Sequence, residues 1–213
     1  MAFKRVLGRF VAASLLLLFP TIASAEPYRI VGFGDSLMAG YGLDPGNGFT
    51  EKLQAALTAK GIDAEVANGS VSGDTSSGGL SRLDWSVPDG TQLVLVELGA
   101  NDMLRGITPD ITEKNLDAIL TRLKERKIPV MLVGMRAAPN LGADYQAAFD
   151  GIYPKLAQKY GVPLYPFFLD GVAADPKFLQ SDQMHPNAAG VDEIVKRFLP
   201  VLEKELAAGP DNS

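Results

Sequence analysis

Apolar runs of strand length alternate with segments of helical periodicity along most of the chain. The predicted strands are YRIVGFG (28–34), AEVANGS (64–70), QLVLVELG (92–99), IPVMLVGM (128–135) and VPLYPFF (162–168). The predicted helices cover residues 48–60, 78–85, 111–126, 144–160 and 187–206. Strands and helices that alternate in this way favour a three-layer α/β domain with a five-stranded parallel sheet.

The individual runs give further detail of this domain. The run 92–99 is apolar on both faces, as is typical of a strand buried inside a parallel sheet. Prolines in the run 162–168 indicate an edge or ragged strand. No repeat or low-complexity linker interrupts residues 26–205, so one domain is predicted there, and residues 206–213 are predicted to be a flexible tail.

The first 25 residues have the pattern of a cleaved export signal. Basic residues precede an apolar run over 10–19, and the sequence ASA at 23–25 matches a cleavage site. The run is too short to span a bilayer comfortably. Cleavage between Ala25 and Glu26 is predicted to release the protein to the periplasm or the medium without a stable membrane anchor.

Charge and residue usage exclude several classes of function. Without residues 1–25 the chain has 17 basic and 25 acidic residues, a formal charge of −8. Nucleic acid binding is not expected, because phosphate binding requires a basic surface. The absence of cysteine excludes disulfides, cysteine nucleophiles and thiolate metal sites. With a single histidine as well, no transition-metal centre is expected.

Polar, mostly glycine-rich segments follow the predicted strands. In chain order these segments are GDSLMAGYG, SVSGDTSSGG, GANDMLRG, RAAPNLG and, beyond the fifth strand, SDQMHPN. Ligands of open parallel sheets bind beyond the carboxyl ends of the strands. The five segments are therefore expected to meet at one edge of the sheet and to contain the functional site.

Ser36 follows the first predicted strand in the sequence GDSL. By itself this sequence is compatible with a nucleophile, a phosphate-binding loop or a plain turn, and the G-x-S-x-G nucleophile elbow is absent. A serine nucleophile needs a general base, and the only histidine is His185. A carboxylate must orient that histidine, and Asp182 has a more direct local route to it than Asp170 or Asp175.

Two residues at other strand ends are candidate donors to an oxyanion. Gly73 can present an unobstructed backbone N–H, although it is equally a plain turn glycine. Asn101 can present its side-chain amide, although it can also satisfy only its own loop as an Asx turn. The combination of a nucleophile, a base and two donors at successive strand ends favours acyl-transfer chemistry.

At these residues the sequence resembles the GDSL, or SGNH, hydrolase superfamily. The matching blocks are GDSLMAGYG with Ser36, NGSVSGDTS with Gly73, LGANDMLRG with Asn101, and SDQMHPN with Asp182 and His185. The segments VLVELG, IYPKLA and VPLYPFF are similar to the bacterial branch of arylesterases, lysophospholipases and multifunctional acyl-CoA thioesterases. The resemblance covers residues 28–205.

The resemblance implies a flavodoxin-like sheet of five parallel strands and cofactor-free hydrolysis of small-molecule esters and thioesters. It implies that Ser36 is the nucleophile, His185 the base and Asp182 the residue that orients the base. The oxyanion hole would consist of the N–H groups of Ser36 and Gly73 and the side chain of Asn101.

Two positions differ from the usual pattern of the family. Ala100 stands where a second glycine is common, and Ala137-Ala138 stand where thioesterase relatives tend to have bulkier apolar residues beside the acyl chain. We therefore expect aryl esters and short to medium acyl chains rather than a strict long-chain preference. The candidate substrate-binding residues are Leu37, Met38, Leu104, Ala137, Ala138, Leu141 and Met184. The four residues Leu37, Met38, Leu104 and Leu141 are equally compatible with packing.

Two alternatives to a carboxylesterase are compatible with the sequence. A carbohydrate O-acetylesterase uses the same residues, whereas a non-catalytic exported module that binds a small ligand has no need of the three triad residues together. No obligate protein partner is evident. Among the charged residues near the site, Asp35 and Asp102 are predicted to hold loop backbone. Arg105 and Arg136 are predicted to form surface ion pairs, with contact to a substrate headgroup as the alternative.

Overall fold

The computed structural model describes residues 26–208, so the predicted export signal and residues 209–213 of the predicted tail lie outside the described part. The strands are β1 (Tyr28–Gly34), β2 (Ala64–Asn68), β3 (Leu93–Glu97), β4 (Val130–Val133) and β5 (Leu164–Tyr165). The helices are α1 (Ser36–Ala39), α2 (Phe49–Ala59), α3 (Ser76–Ser86), α4 (Ala100–Leu104), α5 (Pro109–Glu125), α6 (Ala143–Asp150), α7 (Ile152–Tyr160) and α8 (Ala188–Ala208). None of these helices is long and apolar enough to cross a membrane.

All strands are parallel and lie in the order β2-β1-β3-β4-β5, which confirms the predicted α/β architecture with a five-stranded parallel sheet. The direction of winding reverses at β1, because the chain first adds β2 on one side and then β3 on the other. The crevice beyond the carboxyl ends of β1 and β3 is therefore the expected ligand site of this topology.

The helices form two layers around the sheet. One group consists of α2 packed on α8, and the other consists of α3, α5 and α7, with α5 in contact with both of its neighbours. Right-handed crossovers place the two groups on opposite faces, since the β1–β2 connection and the later connections run in opposite directions across the sheet.

Aromatic packing joins the first and last helices to the sheet. The ring of Phe49 in α2 meets the ring of Phe168 edge-on at a centroid distance of 4.8 Å and that of Phe198 in α8 at 5.3 Å. All three rings are fully buried. Such edge-to-face contacts add specificity to the burial of a large apolar area. They also support the chain beyond β5 that leads to the histidine.

Three elements differ from their predicted extents. The predicted helix 144–160 is two helices, α6 and α7, which meet at the weak helix former Gly151. The predicted strand 162–168 contributes only two residues to the sheet, because the flanking Pro163 and Pro166 have no N–H for the ladder. Helix α8 continues to Ala208, so ordered structure extends three residues into the predicted tail.

Candidate active site

Ser36 is the first residue of α1 and follows β1 after a single intervening residue. That residue, Asp35, caps the helix, since its Oδ1 accepts the Leu37 N–H at 3.0 Å. Gly40 ends the helix one turn later in a left-handed conformation with φ of +80°. This one-turn helix fixes Ser36 at the carboxyl end of the sheet and leaves its N–H without an intrahelical acceptor.

The structure brings Ser36, His185 and Asp182 together in one hydrogen-bonded row. His185 Nε2 lies 2.9 Å from Ser36 Oγ, across 149 residues of sequence. On the other side of the ring, Nδ1 lies 2.7 Å from Asp182 Oδ2. A hydroxyl, an imidazole and a carboxylate in this order have the geometry of a nucleophile, its base and the group that orients the base.

A tight turn places Asp182 beside the histidine ring. Asp182 Oδ1 accepts the backbone N–H groups of Met184 at 2.9 Å and His185 at 3.0 Å, and Gln183 between them has a left-handed φ of +56°. The hydrogen bond from the His185 ring, followed by these two N–H groups, lowers the pKa of Asp182 to about 2. An ionised Asp182 holds the proton on Nδ1 and leaves the Nε2 lone pair directed at Ser36.

Gln180 and Tyr41 fix this turn against the loop that follows α1. Gln180 Nε2 donates to the carbonyls of Tyr41 at 2.8 Å and Pro186 at 2.9 Å, and the Gln180 N–H donates to the His185 carbonyl at 2.8 Å. The Tyr41 ring lies 4.7 Å from the His185 ring, centroid to centroid. Neither residue was predicted from the sequence, because nothing local distinguishes them from other loop residues.

The two predicted oxyanion donors lie at the ends of β2 and β3. Asn101 in α4 donates its Nδ2 to Asp35 Oδ2 at 2.9 Å, so its amide is held directly beside the residue that precedes Ser36. Gly73 has a φ of +83°, which favours glycine, and its carbonyl accepts from Arg105 Nη2 at 2.6 Å. Within residues 26–208 the backbone N–H of Gly73 donates to no protein acceptor.

Buried charged groups support these loops from behind. Asp102 accepts the Ser76 N–H at 2.7 Å and the Thr112 hydroxyl at 3.2 Å, so it holds the start of α3 against α5. Asp35 caps α1 as described above, and the prediction that both aspartates hold loop backbone is confirmed. The prediction of surface ion pairs for Arg105 and Arg136 is wrong within the described residues, since Arg105 binds the Gly73 carbonyl and Arg136 lies over the Phe167 ring.

The side chain of Arg82 in α3 links the end of β1 to the loop between β2 and α3. It donates to the Gly34 carbonyl at 2.8 Å, to the Gly69 carbonyl and to the carboxylate of Asp74, and only 5% of Arg82 is exposed. A buried arginine is favourable only when its donors are satisfied in this way. No sequence pattern signalled this role, because Arg82 looks like any polar position on a surface helix.

A second carboxyl group, that of Glu97, is buried next to Asp35. Both residues are fully buried, and the Asp35 N–H donates to Glu97 Oε2 at 3.3 Å. Burial raises the pKa of Asp35 to about 6, although the hydrogen bonds from Leu37 and Asn101 lower it. Burial, together with the charge of Asp35, raises the pKa of Glu97 well above its usual range. The signal for Glu97 was available in the sequence, as the single charged residue of the apolar run 92–99.

The seven candidate substrate-binding residues fall into three groups. Leu37 and Met38 belong to the core, with Met38 fully buried, so an acyl-lining role for this pair does not fit their burial. Their side chains follow the inner face of α1, which the sequence did not resolve. Ala137 and Ala138 are half-buried on the loop after β4. The exposed members are Leu104, Leu141 and Met184.

Exposed apolar side chains are concentrated on the loops that carry the site. Met184 lies between Asp182 and His185, Leu104 follows Asn101 in α4, and Leu141 lies on the loop after β4. Two more, not predicted, are Val71 just before Gly73 and Tyr41 beside His185. The other exposed large apolar side chains of residues 26–208, Trp85 and Ile111, lie on α3 and α5, and the five residues on the loops of the site are called the apolar cluster below. Exposed apolar side chains around polar groups are typical of a site for a partly apolar ligand.

Several known proteins that are similar to this chain are hydrolases. Residues 33–192 match the model of the GDSL-like Lipase/Acylhydrolase family. The chain is 41% identical to an arylesterase of Vibrio mimicus over 91% of this chain and 98% of that protein. It is 40% identical to thioesterase 1/protease 1/lysophospholipase L1 of Escherichia coli (strain K12), over 90% of this chain and 93% of that protein.

A solved structure gives the same assignment. The crystal structure of AlinE4, a SGNH-hydrolase family esterase, superposes with a TM-score of 0.73 at 50% identity and covers 86% of this chain and 99% of that chain. The family model alone spans the segment from the end of β1 into α8, which includes Ser36, Gly73, Asn101, Asp182 and His185. The protein belongs to the GDSL-like lipase/acylhydrolase family.

Proposed function

We propose that this protein is a serine esterase that hydrolyses small-molecule carboxylic esters through an acyl-enzyme. The observation that carries the proposal is a hydrogen-bonded row in which His185 Nε2 lies 2.9 Å from Ser36 Oγ and His185 Nδ1 lies 2.7 Å from Asp182 Oδ2. The chain that contains this row belongs to an acylhydrolase family. In this proposal Ser36 is the nucleophile, His185 the general base and Asp182 the group that orients the base.

In the first step the Ser36 oxygen bonds to the ester carbonyl carbon while its proton passes to His185 Nε2. Negative charge develops on the former carbonyl oxygen, which the N–H groups of Ser36 and Gly73 and the Asn101 amide are proposed to bind. Collapse of this intermediate breaks the bond to the leaving alcohol, and His185 returns the proton to it. Water then attacks the acyl-enzyme by the same route and releases the acid and free Ser36.

The proposed substrates are aryl esters and esters with short to medium acyl chains, with lysophospholipids and thioesters as further candidates. The apolar cluster of Tyr41, Val71, Leu104, Leu141 and Met184 supports an apolar acyl or aryl group at the site. The names of the arylesterase and lysophospholipase relatives support the same range. The presence of Ser36, His185 and Asp182 together argues against a module that only binds a ligand, because such a module has no need of all three.

The test is hydrolysis of p-nitrophenyl acetate, octanoate and palmitate by the purified protein and by Ser36→Ala. Loss of activity in Ser36→Ala is expected, because no other group replaces the attacking oxygen. Ser77→Ala, an exposed serine of α3, is the matched control and should retain activity. Octanoate turnover above that of acetate would support the apolar cluster as an acyl site. Turnover of sugar acetates alone would instead favour a carbohydrate O-acetylesterase, and no Ser36-dependent turnover would favour a binding module.

We also propose that the protein is exported and cleaved between Ala25 and Glu26, to act in the periplasm or outside the cell. The proposal is supported by the pattern of residues 1–25. N-terminal sequencing of the protein from an osmotic-shock fraction tests it. A mature chain that begins at Glu26 is expected, whereas an intact N-terminus in the cytosolic fraction would contradict export.

A further inference from the structure

Two carboxyl groups lie in the dry interior directly behind the candidate nucleophile. Asp35 immediately precedes Ser36, and Glu97 is the last residue of β3, in register with Gly34 of β1. Gly34 has no side chain, and a Cβ there would lie 2.5 Å from Glu97 Oε2, so only glycine lets the Glu97 side chain approach β1 this closely. The Asp35 N–H then donates to Glu97 Oε2 at 3.3 Å.

The hydrogen bonds of the two carboxyl groups are unequal. Asp35 accepts the Leu37 N–H at 3.0 Å on one oxygen and the Asn101 amide at 2.9 Å on the other. Glu97 accepts only the long bond from Asp35, and within residues 26–208 its Oε1 is buried without a hydrogen-bond partner. An ionised carboxylate needs donors on both oxygens when it is buried, whereas a neutral carboxylic acid loses much less.

The surrounding charges also favour a negative charge on Asp35 rather than on Glu97. When His185 holds the proton taken from Ser36, its charge favours the ionised form of Asp35 from the loop before α8, and Asp102 opposes this from α4. Near Glu97 the titratable groups are Asp35 itself and the buried Tyr153 hydroxyl, which donates to the Leu98 carbonyl. The Arg82 guanidinium brings a positive charge to the residue before Asp35, since it donates to the Gly34 carbonyl at 2.8 Å.

We propose that Asp35 and Glu97 form a carboxyl pair with a single proton, which Glu97 holds, and that the ionised Asp35 is the positioning residue for the Asn101 amide. The proposal rests on the proposed function, because it gives Asn101 the role of an oxyanion donor. One N–H of the Asn101 amide donates to Asp35, which leaves the second N–H directed away from Asp35 and available to the oxyanion. The charge on Asp35 makes this bond stronger than a bond between neutral groups.

This pair explains how a titratable residue is accommodated in β3, a strand in which every residue is buried. If both groups were ionised, two like charges would meet in a dry site, and one would be driven to bind a proton. If Asp35 held the proton, its hydroxyl oxygen would be a weaker acceptor for Asn101. Glu97 therefore contributes by staying neutral beside the ionised Asp35.

Infrared difference spectroscopy tests where the proton lies, without reference to activity. The full protein at neutral pH is expected to show the carbonyl band of a protonated carboxyl group, and Glu97→Gln should lose that band. Asp35→Asn should retain it. A band that disappears in Asp35→Asn but not in Glu97→Gln, or no such band at all, would overturn the assignment of the proton to Glu97.

A double-mutant cycle tests the positioning role on p-nitrophenyl octanoate. Asp35→Asn is expected to lower kcat by about 10- to 100-fold with KM changed by less than about threefold, because the misplaced amide acts mainly on the transition state. In an Asn101→Ala background the same substitution should lower kcat by no more than about threefold further. Glu97→Gln, which mimics the neutral acid, should stay within about threefold of the parent protein.

An equal loss from Asp35→Asn in both backgrounds would show that Asp35 acts independently of Asn101 and would overturn its positioning role. The cycle is read only for variants that retain the circular dichroism of the parent protein and are fully folded at the assay temperature. Should Asp35→Asn fail to fold, the infrared comparison of Glu97→Gln with the parent still decides the location of the proton. Ser36→Ala reports on the proposed function separately, because its loss of activity does not depend on either carboxyl group.

Discussion

At the scale of single residues, the site is a set of side chains joined by specific hydrogen bonds. His185 spans Ser36 and Asp182, and Asn101 donates to Asp35. Removal of one side chain therefore leaves a specific atom without its partner, and the effects of substitution can be stated residue by residue.

Asn101→Ala removes the only side chain among the three proposed oxyanion donors. We expect kcat for p-nitrophenyl esters to fall by about 10²–10³-fold with little change in KM, since a donor to the developing charge acts in the transition state. Steady-state kinetics at neutral pH measures this. Asn47→Ala, on the loop before α2, is the control, and a kcat within about threefold of the parent for Asn101→Ala would remove Asn101 from the oxyanion hole.

Asp182→Asn tests the orienting carboxylate. The substitution removes the acceptor that holds the proton on His185 Nδ1, so we expect kcat to fall by about 10²–10⁴-fold while folding is retained. Asp170→Asn is the matched control, because Asp170 pairs with Arg197 on the surface at 3.0 Å rather than with the histidine. If the two variants had similar activity, Asp182 would not be the orienting residue.

At the scale of elements, the starts of the helices decide how the loops of the site are held. Helix α3 begins directly after the Gly73 loop, and its N-cap residue Thr75 accepts the Gly78 N–H at 3.2 Å. Helix α5 also has a threonine, Thr108, at its N-cap, but that side chain makes no capping bond. The sequence predicted α3 to begin two residues late, since its first turn contains glycines and serines rather than helix formers.

Thr75→Ala is expected to lower the free energy of unfolding by about 1 kcal/mol, because the first turn of α3 loses its side-chain acceptor. Thr108→Ala, at the N-cap of α5, is the matched control and should change the free energy of unfolding by no more than about 0.5 kcal/mol. Urea denaturation followed by circular dichroism measures both. Equal effects of the two substitutions would show that the Thr75 bond does not stabilise α3.

At the scale of the whole molecule, the buried carboxyl pair links the stability of the fold to pH. The pKa of Asp35 is raised from 3.8 to about 6, chiefly by burial, so the folded state binds this proton more tightly than the unfolded state. A carboxyl group with a raised pKa in the folded state lowers stability as pH rises through that interval. The site thus retains a destabilising group at the working pH, as is common where function requires a buried charge.

Asp35→Asn removes that pH dependence. Between pH about 4 and about 6, the free energy of unfolding of this variant should rise relative to the parent protein by up to about 3 kcal/mol. Denaturation curves at a series of pH values measure the difference, with Asp44→Asn as the exposed control. A difference between variant and parent that is constant over this interval would contradict the raised pKa of Asp35.

Much of the fold and the central groups of the site could be predicted from local sequence. Hydrophobic periodicity placed all five strands, because a strand buried on both faces must be apolar at successive positions. The parallel arrangement then placed Ser36, Gly73 and Asn101 at one edge. The prediction was weakest where long-range contacts set the extent of an element, as in the two-residue strand β5 and in the break between α6 and α7 at Gly151.

The sequence by itself determined the order in which strands and helices follow one another along the chain. It also identified the unique histidine, His185, with an aspartate three residues before it. These properties are local, since backbone propensity and apolar periodicity act over a few residues. Only the tertiary structure decided that Met38 faces the core, that Arg82 joins the end of β1 to the loop after β2, and that Glu97 meets Asp35. Such contacts join residues far apart in the chain, and strand register and packing, which no local pattern encodes, set the direction of each side chain.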